Sequence, residues 1–181
     1  MSERTLRAPE DAAIFESTVS VSCPAPAEVV YDLIADLSTH LEWNGRRQPR
    51  KTRLETLVAP SGPATVGTEF TSTGTDHSAR FADRSVVTEA DRPAVFEFVT
   101  EARRSPKRGT TTEMTNVNRY EIEAEGSGCR VTYRSRIVRI MNMPLIGRFP
   151  LTRKLVLAEG KKQIRSTLRN LSSVAQEKGG S

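Results

Sequence analysis

Between residues 50 and 140, strand-like segments follow one another with only short connections, and this run constrains the fold of the 181-residue chain most. Within each segment, apolar and polar residues alternate, as they do in strands with one buried face. Turn signals such as Ala-Asp-Arg-Pro at 90–93 and Glu-Gly-Ser-Gly at 125–128 separate the segments. A parallel return would need a crossover of about a dozen residues, so these strands must pair antiparallel.

Helical patterns lie on either side of this run. Residues 14–22 alternate like one more strand, and after Pro26 apolar residues recur at helical spacing as far as Leu37. A capping-box pattern from Thr39 to Glu42 predicts a second short helix. The longest periodic stretch covers about 151–176 and carries an apolar stripe on one face. The stripe consists of Leu157, Gly160, Ile164, Leu168, Leu171 and Ala175.

The order of these elements predicts an α+β fold. A curved antiparallel β-sheet of about seven strands wraps around a long C-terminal α-helix, and two short helices follow strand 1. A sheet covered on one face needs an apolar partner there, and only the C-terminal helix is long enough. We expect a flexible tail at 1–13, a single domain over 14–176 and a flexible tail at 177–181.

The composition is that of an ordinary globular domain, with 36% hydrophobic and 27% charged residues. No apolar run reaches the roughly 18 residues of a membrane span, and the polar start lacks the apolar region of a signal peptide. Cys23 and Cys129 form no CxxC pair and have no His at zinc-ligand spacing. We therefore expect a cytoplasmic protein with reduced thiols, no bound metal and no cofactor.

The net charge of +5 comes mostly from four basic segments, at 46–53, 103–108, 130–139 and 148–169. Segments of this kind could attract nucleic acid, phosphates or an anionic lipid surface. The preferred interpretation is that they are solvated faces of strands and helices, because no basic run is uninterrupted.

Five stretches of the sequence, taken in order, carry a family resemblance. They are 23–37, the Glu-Trp-Asn of 42–44, the Val-Gly-Thr-Glu-Phe of 66–70, 85–98 and 128–133, and the terminal helix follows them. Together they resemble the START-like helix-grip (SRPBCC) superfamily, in particular its polyketide cyclase/dehydrase and lipid-transport branch, over 14–176. The resemblance implies a helix-grip fold with a deep hydrophobic cavity for lipids, polyketides or sterols, and it implies no particular reaction.

Catalytic motifs are missing from the sequence. It contains no GxxxxGK[ST], GxGxxG, GxSxG or HExxH. Only two histidines occur, His40 and His77, and the sequence around them nominates neither for a Ser-His-Asp arrangement. The absence of these motifs favours a binding protein over an enzyme.

The predicted strand over 111–124 places polar residues on its apolar face. Asn116, Asn118 and Tyr120 alternate with charged residues that must meet water, so they point inward. A buried amide is costly without a hydrogen-bond partner. The partner is either a ligand or a combination of neighbouring strands and cavity water, and both interpretations stay open.

Neighbouring segments add further candidates for a ligand site. Tyr133 and Ser135 alternate with arginines on the next strand, and Phe96 and Phe98 supply an apolar wall, although simple core packing also explains both phenylalanines. Trp43, the only tryptophan, either covers an apolar ligand or fixes the short helices against the sheet.

Three functions follow from these observations. The first is binding or transport of a hydrophobic or amphipathic small molecule, lipid or polyketide-like, in an internal cavity. The alternative is a polyketide cyclase or aromatase, in which Tyr120 or Tyr133 polarises a carbonyl and His40 or His77 acts as a base. The third is a basic surface that binds nucleic acid or an anionic membrane, and it depends on charge alone.

Overall fold

The computed structural model describes residues 12–47, 53–76, 79–142 and 150–179, with the side chains of 150–153 and 156 left aside. The elements in chain order are β1 (Phe15–Cys23), α1 (Ala27–Ala35), a 3₁₀ turn (Leu37–Thr39), a π-type turn (Glu42–Arg46), β2 (Arg53–Val58), β3 (Glu69–Asp76), β4 (Ala79–Asp91), β5 (Val95–Pro106), β6 (Thr112–Glu125), β7 (Gly128–Met141) and α2 (Pro150–Gly179). The α+β helix-grip prediction is confirmed, including the short helical elements after the first strand and the long C-terminal helix.

All seven strands form one antiparallel sheet in the order β1-β7-β6-β5-β4-β3-β2. Strands β2 to β7 are neighbours in sequence order, whereas β1 crosses over to pair with β7. Register shifts interrupt the ladders of β2 with β3, β4 with β5, and β6 with β7. Shifts of this kind increase the local twist and bend a strand, so they help the sheet to curve.

The core lies between the sheet and the helices, on what we call the concave face. Helix α2 contributes Leu168, Leu171 and Ala175 from the predicted stripe, and all three are buried. Val174 is buried too, while Leu155 near the start of α2 is exposed. Helix α1 presents an apolar face to the same core, and burial of these aliphatic side chains stabilises the fold.

The second short helix predicted after strand 1 is present as a 3₁₀ turn and a π-type turn, and Asp36 starts the first of them by accepting a hydrogen bond from the Ser38 amide. One boundary differs from the sequence-based expectation. Helix α2 runs on to Gly179, past the predicted domain end at 176, and the Glu177 carboxylate is held by Arg47 at 2.7 Å. Residues 1–11 and 180–181 of the predicted tails lie outside the described residues, so the domain limits stay a prediction.

The opposite face of the sheet, the convex face, carries a small core of its own. Val99, Val117 and Val138 are buried there together. Val117 belongs to the side of β6 that was expected to meet water, yet it is only 1% exposed. The register shift in the β6–β7 ladder leaves Val138 without a cross-strand partner, and Val138 packs with Val117 and Val99.

Candidate functional site

A pocket of about 220 Å³ opens on the concave face between the sheet and the turns that follow α1; we call it the concave pocket. His40 and Asn44 line it from the turns, and Leu57 lines it from β2. The sheet contributes an aromatic wall, in which Phe70 and Phe98 meet edge to face at 5.3 Å between ring centroids. Apolar walls of this kind supply most of the affinity in small-molecule sites.

A larger groove of about 470 Å³ adjoins the concave pocket and shares Ser72, Asp83, Ala102 and Met114 with it. Most of the residues around it belong to the convex face, six of its lining residues are charged, and several of these form ion pairs. Arg84 pairs with Glu69 at 3.0 Å, and Arg103 pairs with Glu113 at 3.3 Å. The concave pocket, which is smaller and has aromatic walls, is therefore the better candidate for a ligand site.

Polar side chains on the concave face form a continuous hydrogen-bonded row across four strands. Asn118 on β6 is its centre, because its Oδ1 accepts from the Asn116 amide at 2.8 Å and from the Tyr133 hydroxyl at 2.5 Å. Its Nδ2 donates to Thr100 Oγ1 at 3.1 Å. Thr100 shares a further hydrogen bond of 2.9 Å with Ser85 on β4.

Ser135 on β7 closes the row at its other end. Its hydroxyl donates to Asn116 Oδ1 at 3.0 Å. We call the six residues of this row the amide row; they are Ser85, Thr100, Asn116, Asn118, Tyr133 and Ser135. Their polar atoms hydrogen-bond mainly with one another, which is how neutral polar groups become tolerable in a protein interior.

Two tyrosines stand side by side in the pocket wall. The rings of Tyr120 and Tyr133 lie 4.7 Å apart between centroids. Burial raises the pKa of both phenols, so both stay protonated at neutral pH. Within the described part of the chain, the Tyr120 hydroxyl makes no hydrogen bond, and Tyr120 is one of the residues that line the concave pocket.

Asp83 is the one carboxylate among the described residues that lines the concave pocket. On β4 it follows Phe81 and precedes Ser85 at the two-residue spacing of one strand face, and its cross-strand neighbour is Ser72. Its Oδ1 is buried without a hydrogen-bond partner among the described residues. Burial raises the pKa of Asp83 to about 7.

His40 lies under the pocket and is almost completely buried. Its Nε2 is 2.8 Å from the Ile34 carbonyl oxygen, which can only accept, so Nε2 carries the proton of the neutral ring. Burial lowers the pKa of His40 to about 4, and the ring is therefore neutral at physiological pH. The Trp43 ring packs against it at 4.5 Å between centroids.

The structure separates the predicted site residues into two groups. Five of them line the concave pocket: Phe98, Asn116, Asn118, Tyr120 and Tyr133. Ser135 touches this group through its hydrogen bond to Asn116. Trp43 and Phe96 are fully buried in the core, where the Trp43 indole donates to Thr39 Oγ1 at 3.2 Å. Contact of any of these residues with a ligand stays a prediction.

Asp83 was missed by the sequence analysis. The segment around it alternates, and strict alternation already places Phe81, Asp83 and Ser85 on one face. The residue type argued against an inward position for Asp83, because a lone aspartate between Arg80 and Arg84 is typical of a strand face exposed to solvent. The other predicted base, His77, lies outside the described residues.

Within the described ranges, no group of three or more His, Cys, Asp and Glu residues is placed to hold a metal ion. Among the helices described, none is long and apolar enough to cross a membrane. Cys23 and Cys129 are free thiols that face each other across β1 and β7.

Comparison with known proteins agrees with the geometry. The family model for polyketide cyclase/dehydrase and lipid transport matches residues 15–176. No curated protein matches the sequence.

Several solved structures share the fold at low identity. Protein CV1439 from Chromobacterium violaceum superposes with a TM-score of 0.61 and 11% identity, covering 89% of this chain and 97% of its own. Ms6760 from Mycobacterium smegmatis gives a TM-score of 0.58 and 16% identity, covering 88% and 89%. DynU16, a protein from the dynemicin biosynthetic locus, gives 0.53 and 16%, covering 95% of this chain and 49% of its own.

Proposed function

The chain belongs to the polyketide cyclase/dehydrase and lipid-transport family, and on that premise we propose that it binds one small amphipathic molecule in the concave pocket. The observation that carries the proposal is the combination of an aromatic wall with a few convergent polar groups. Phe70 and Phe98 form the wall, and the Tyr120 hydroxyl is a free donor beside it. Walls of this kind give affinity, and isolated polar groups fix orientation.

The size of the pocket limits the ligand. Sites for drug-sized molecules usually occupy roughly 300–1,000 Å³. The concave pocket measures about 220 Å³, so it suits a molecule of one or two fused rings or a short acyl segment. A longer lipid or polyketide would have to leave part of its length outside the pocket.

A cyclase-like activity is the second candidate, and the free hydroxyl of Tyr120 is the observation that favours it. A neutral phenol can donate to a carbonyl oxygen and stabilise the charge that develops there. The proposed base His40 is a poor partner for this step, because its pKa of about 4 makes it a weak base at neutral pH. Binding without chemistry is therefore the preferred proposal.

The binding proposal is tested by filling the pocket. N-phenyl-1-naphthylamine, an uncharged fluorescent probe, would be titrated into the wild type, Ala102→Leu and Ala82→Leu. Ala102 lines the concave pocket, whereas Ala82 is exposed on the convex face of the adjacent strand. We expect Ala102→Leu to weaken probe binding at least tenfold and Ala82→Leu to leave it unchanged. Equal affinity in all three proteins, each shown to be folded by circular dichroism, would overturn the proposal.

A further inference from the structure

Asp83 lies in the wall of the concave pocket with a carboxylate oxygen that has no hydrogen-bond partner among the described residues. The amide row already satisfies its own members, and Asn118 in particular uses both its oxygen and its nitrogen. Asp83 lies just beyond that row, two residues before Ser85 on the same strand face. Its Oδ1 is enclosed and unpaired among the described residues. A ligand that enters the pocket therefore meets one carboxyl group with capacity to spare.

No cationic side chain of the described residues neutralises this carboxyl. Arg53 lines the same pocket, but its guanidinium is half exposed and lies 3.6 Å from Glu55. Arg104, at the neighbouring inward position of β5, is paired with Asp76. A carboxylate taken out of water is costly unless a positive donor accompanies it. The complement that is missing here is thus a positively charged hydrogen-bond donor.

We propose that Asp83 is the polar anchor of the concave pocket and that it selects ligands in which a protonated amine is attached to a small apolar skeleton. The amine provides both of the features that the wall lacks, a positive charge and hydrogen-bond donors aimed at Oδ1. The skeleton lies against Phe70 and Phe98. This inference rests on the proposed binding function, and it assigns a substrate class to the same site.

The pKa values of the histidine and tyrosines on this side of the sheet lie away from the pKa of Asp83. The pKa of His40 is about 4, below that of Asp83. The pKa values of Tyr120 and Tyr133 are raised above the ordinary tyrosine value, which puts them above that of Asp83. Arg53 pairs with Glu55, and Arg104 pairs with Asp76. Asp83 ionises near pH 7, so a cationic ligand should bind more tightly as the pH rises through that value.

Three naphthalene probes with the same ring separate the contributions. They are 2-(1-naphthyl)ethylamine, 1-propylnaphthalene and 1-naphthylacetone, which end in an ammonium, a methyl and a ketone. Each would be titrated into the wild type, Asp83→Asn and Glu101→Gln between pH 5.5 and 8.5. An alkylammonium stays protonated over this range, as lysine does. Glu101 is the matched control, because it carries an exposed carboxylate on the convex face, next to Ala102 on β5.

We expect the amine to bind at least tenfold more tightly at pH 8.5 than at pH 5.5, while 1-propylnaphthalene is insensitive to pH. Asp83→Asn should abolish both the advantage of the amine and its pH dependence, and Glu101→Gln should change neither. If 1-propylnaphthalene binds but the amine has no advantage, or if the ketone binds best and weakens as the pH rises, the assignment of a cationic ligand is wrong. If none of the three probes binds to a folded protein, the proposed binding function fails as well.

Discussion

The two faces of the same sheet carry different kinds of polar side chain, neutral and hydrogen-bonded on one face and charged and ion-paired on the other. On the concave face, Asn116 and Asn118 are neutral and hydrogen-bond within the amide row. On the convex face, Arg119 is charged and holds the carboxylates of Glu89, Glu97 and Glu121. Asn116, Asn118 and Arg119 lie on the same strand, β6, so the two faces differ here only in their access to water.

The difference shows which polar groups each environment tolerates. Charges stay where solvent can screen and hydrate them, and neutral groups go inside when partners are available. Asp83 breaks this division, because it is a carboxyl on the concave side with no partner in the described residues. The comparison therefore makes Asp83 the feature whose position calls for a functional explanation.

The largest loss of stability is expected from a substitution in α2, at the point where this helix covers the concave face. Leu168 is 1% exposed in the main core, so Leu168→Ala removes buried volume that the neighbours cannot refill. We expect the free energy of unfolding to fall by about 2–5 kcal/mol. Leu155→Ala is the matched control on the same helix, because Leu155 is 66% exposed. Chemical denaturation measures both, and a loss of the same size in the control would show that burial of Leu168 is not responsible.

A somewhat smaller loss is expected when the amide row is interrupted. Asn118→Leu leaves the Tyr133 hydroxyl and the Asn116 amide without their acceptor, inside the protein. The free energy of unfolding should fall by about 2–4 kcal/mol, because unsatisfied buried polar groups carry the full desolvation penalty. On the convex side, Thr132→Val removes the exposed 2.8 Å bond to Ser20 and should cost little. Equal losses would erase the contrast between the faces.

The next largest effect is the pH dependence that Asp83 gives to the stability of the protein. The pKa of Asp83 is raised by burial from its ordinary value of 3.8 to about 7, so the folded state binds more protons than the unfolded state between these values. Its contribution is fully present below pH 3.8 and is lost as the pH rises to about 7. We expect Asp83→Asn to be more stable than the wild type by about 2 kcal/mol at pH 8 and similar to it near pH 4.

His40 produces a slope of the opposite sign, which the same experiment must separate. Burial lowers its pKa from 6.5 to about 4, so the unfolded state binds more protons and stability falls as the pH drops from 6.5 to 4. In the wild type the two slopes partly cancel. Asp83→Asn should therefore show a steeper rise in stability between pH 4 and 6.5 than the wild type. Parallel curves for the two proteins would contradict the buried position of Asp83.

The smallest effect is expected on the convex face. Arg119→Met removes the shared partner of three carboxylates, and Glu97 among them is buried. Glu89 and Glu121 are partly exposed and Glu97 keeps its hydrogen bond from Thr88, so the loss should be about 1 kcal/mol at low salt. It should shrink further when the salt concentration rises. Arg84→Met, which breaks a fully exposed pair with Glu69, should have no measurable effect. A loss that does not depend on salt would point to packing by the arginine stem instead.

Much of the fold follows from the sequence because strand alternation has a strict period of two. That period was sufficient to place Asn116, Asn118, Tyr120 and Tyr133 on one face, and all four line the concave pocket. Alternation indicates on which face of the sheet a side chain lies, but it does not indicate how deeply that side chain is buried. Alternation could not show that Val117 would be buried on the convex face. Its burial depends on the register shift that leaves Val138 without a cross-strand partner.

The candidate site was harder to predict for a related reason. Whether an aspartate is solvated or enclosed depends on elements that are distant in sequence, here the turns with His40 and the strand with Leu57. The same applies to Trp43, whose place in the core is fixed by packing against α2 and the sheet. The residues next to Asp83 and Trp43 in the sequence do not indicate which distant elements will pack against them. Types and faces of residues were predictable, but enclosure was not.

The pairing of β1 with β7 also determines when the protein can fold during synthesis. The hydroxyls of Ser20 and Thr132 meet across this pairing although 112 residues separate them in the chain. Closing so long a loop costs entropy before any contact is gained, and contacts of this range slow folding. On the ribosome, β1 emerges first and has no partner strand until β7 has been translated. The apolar face of α1 likewise has no partner until α2, which follows β7 in the chain, has been translated. Cotranslational folding can thus build the meander from β2 to β7 early, but the domain closes only after α2 has been translated.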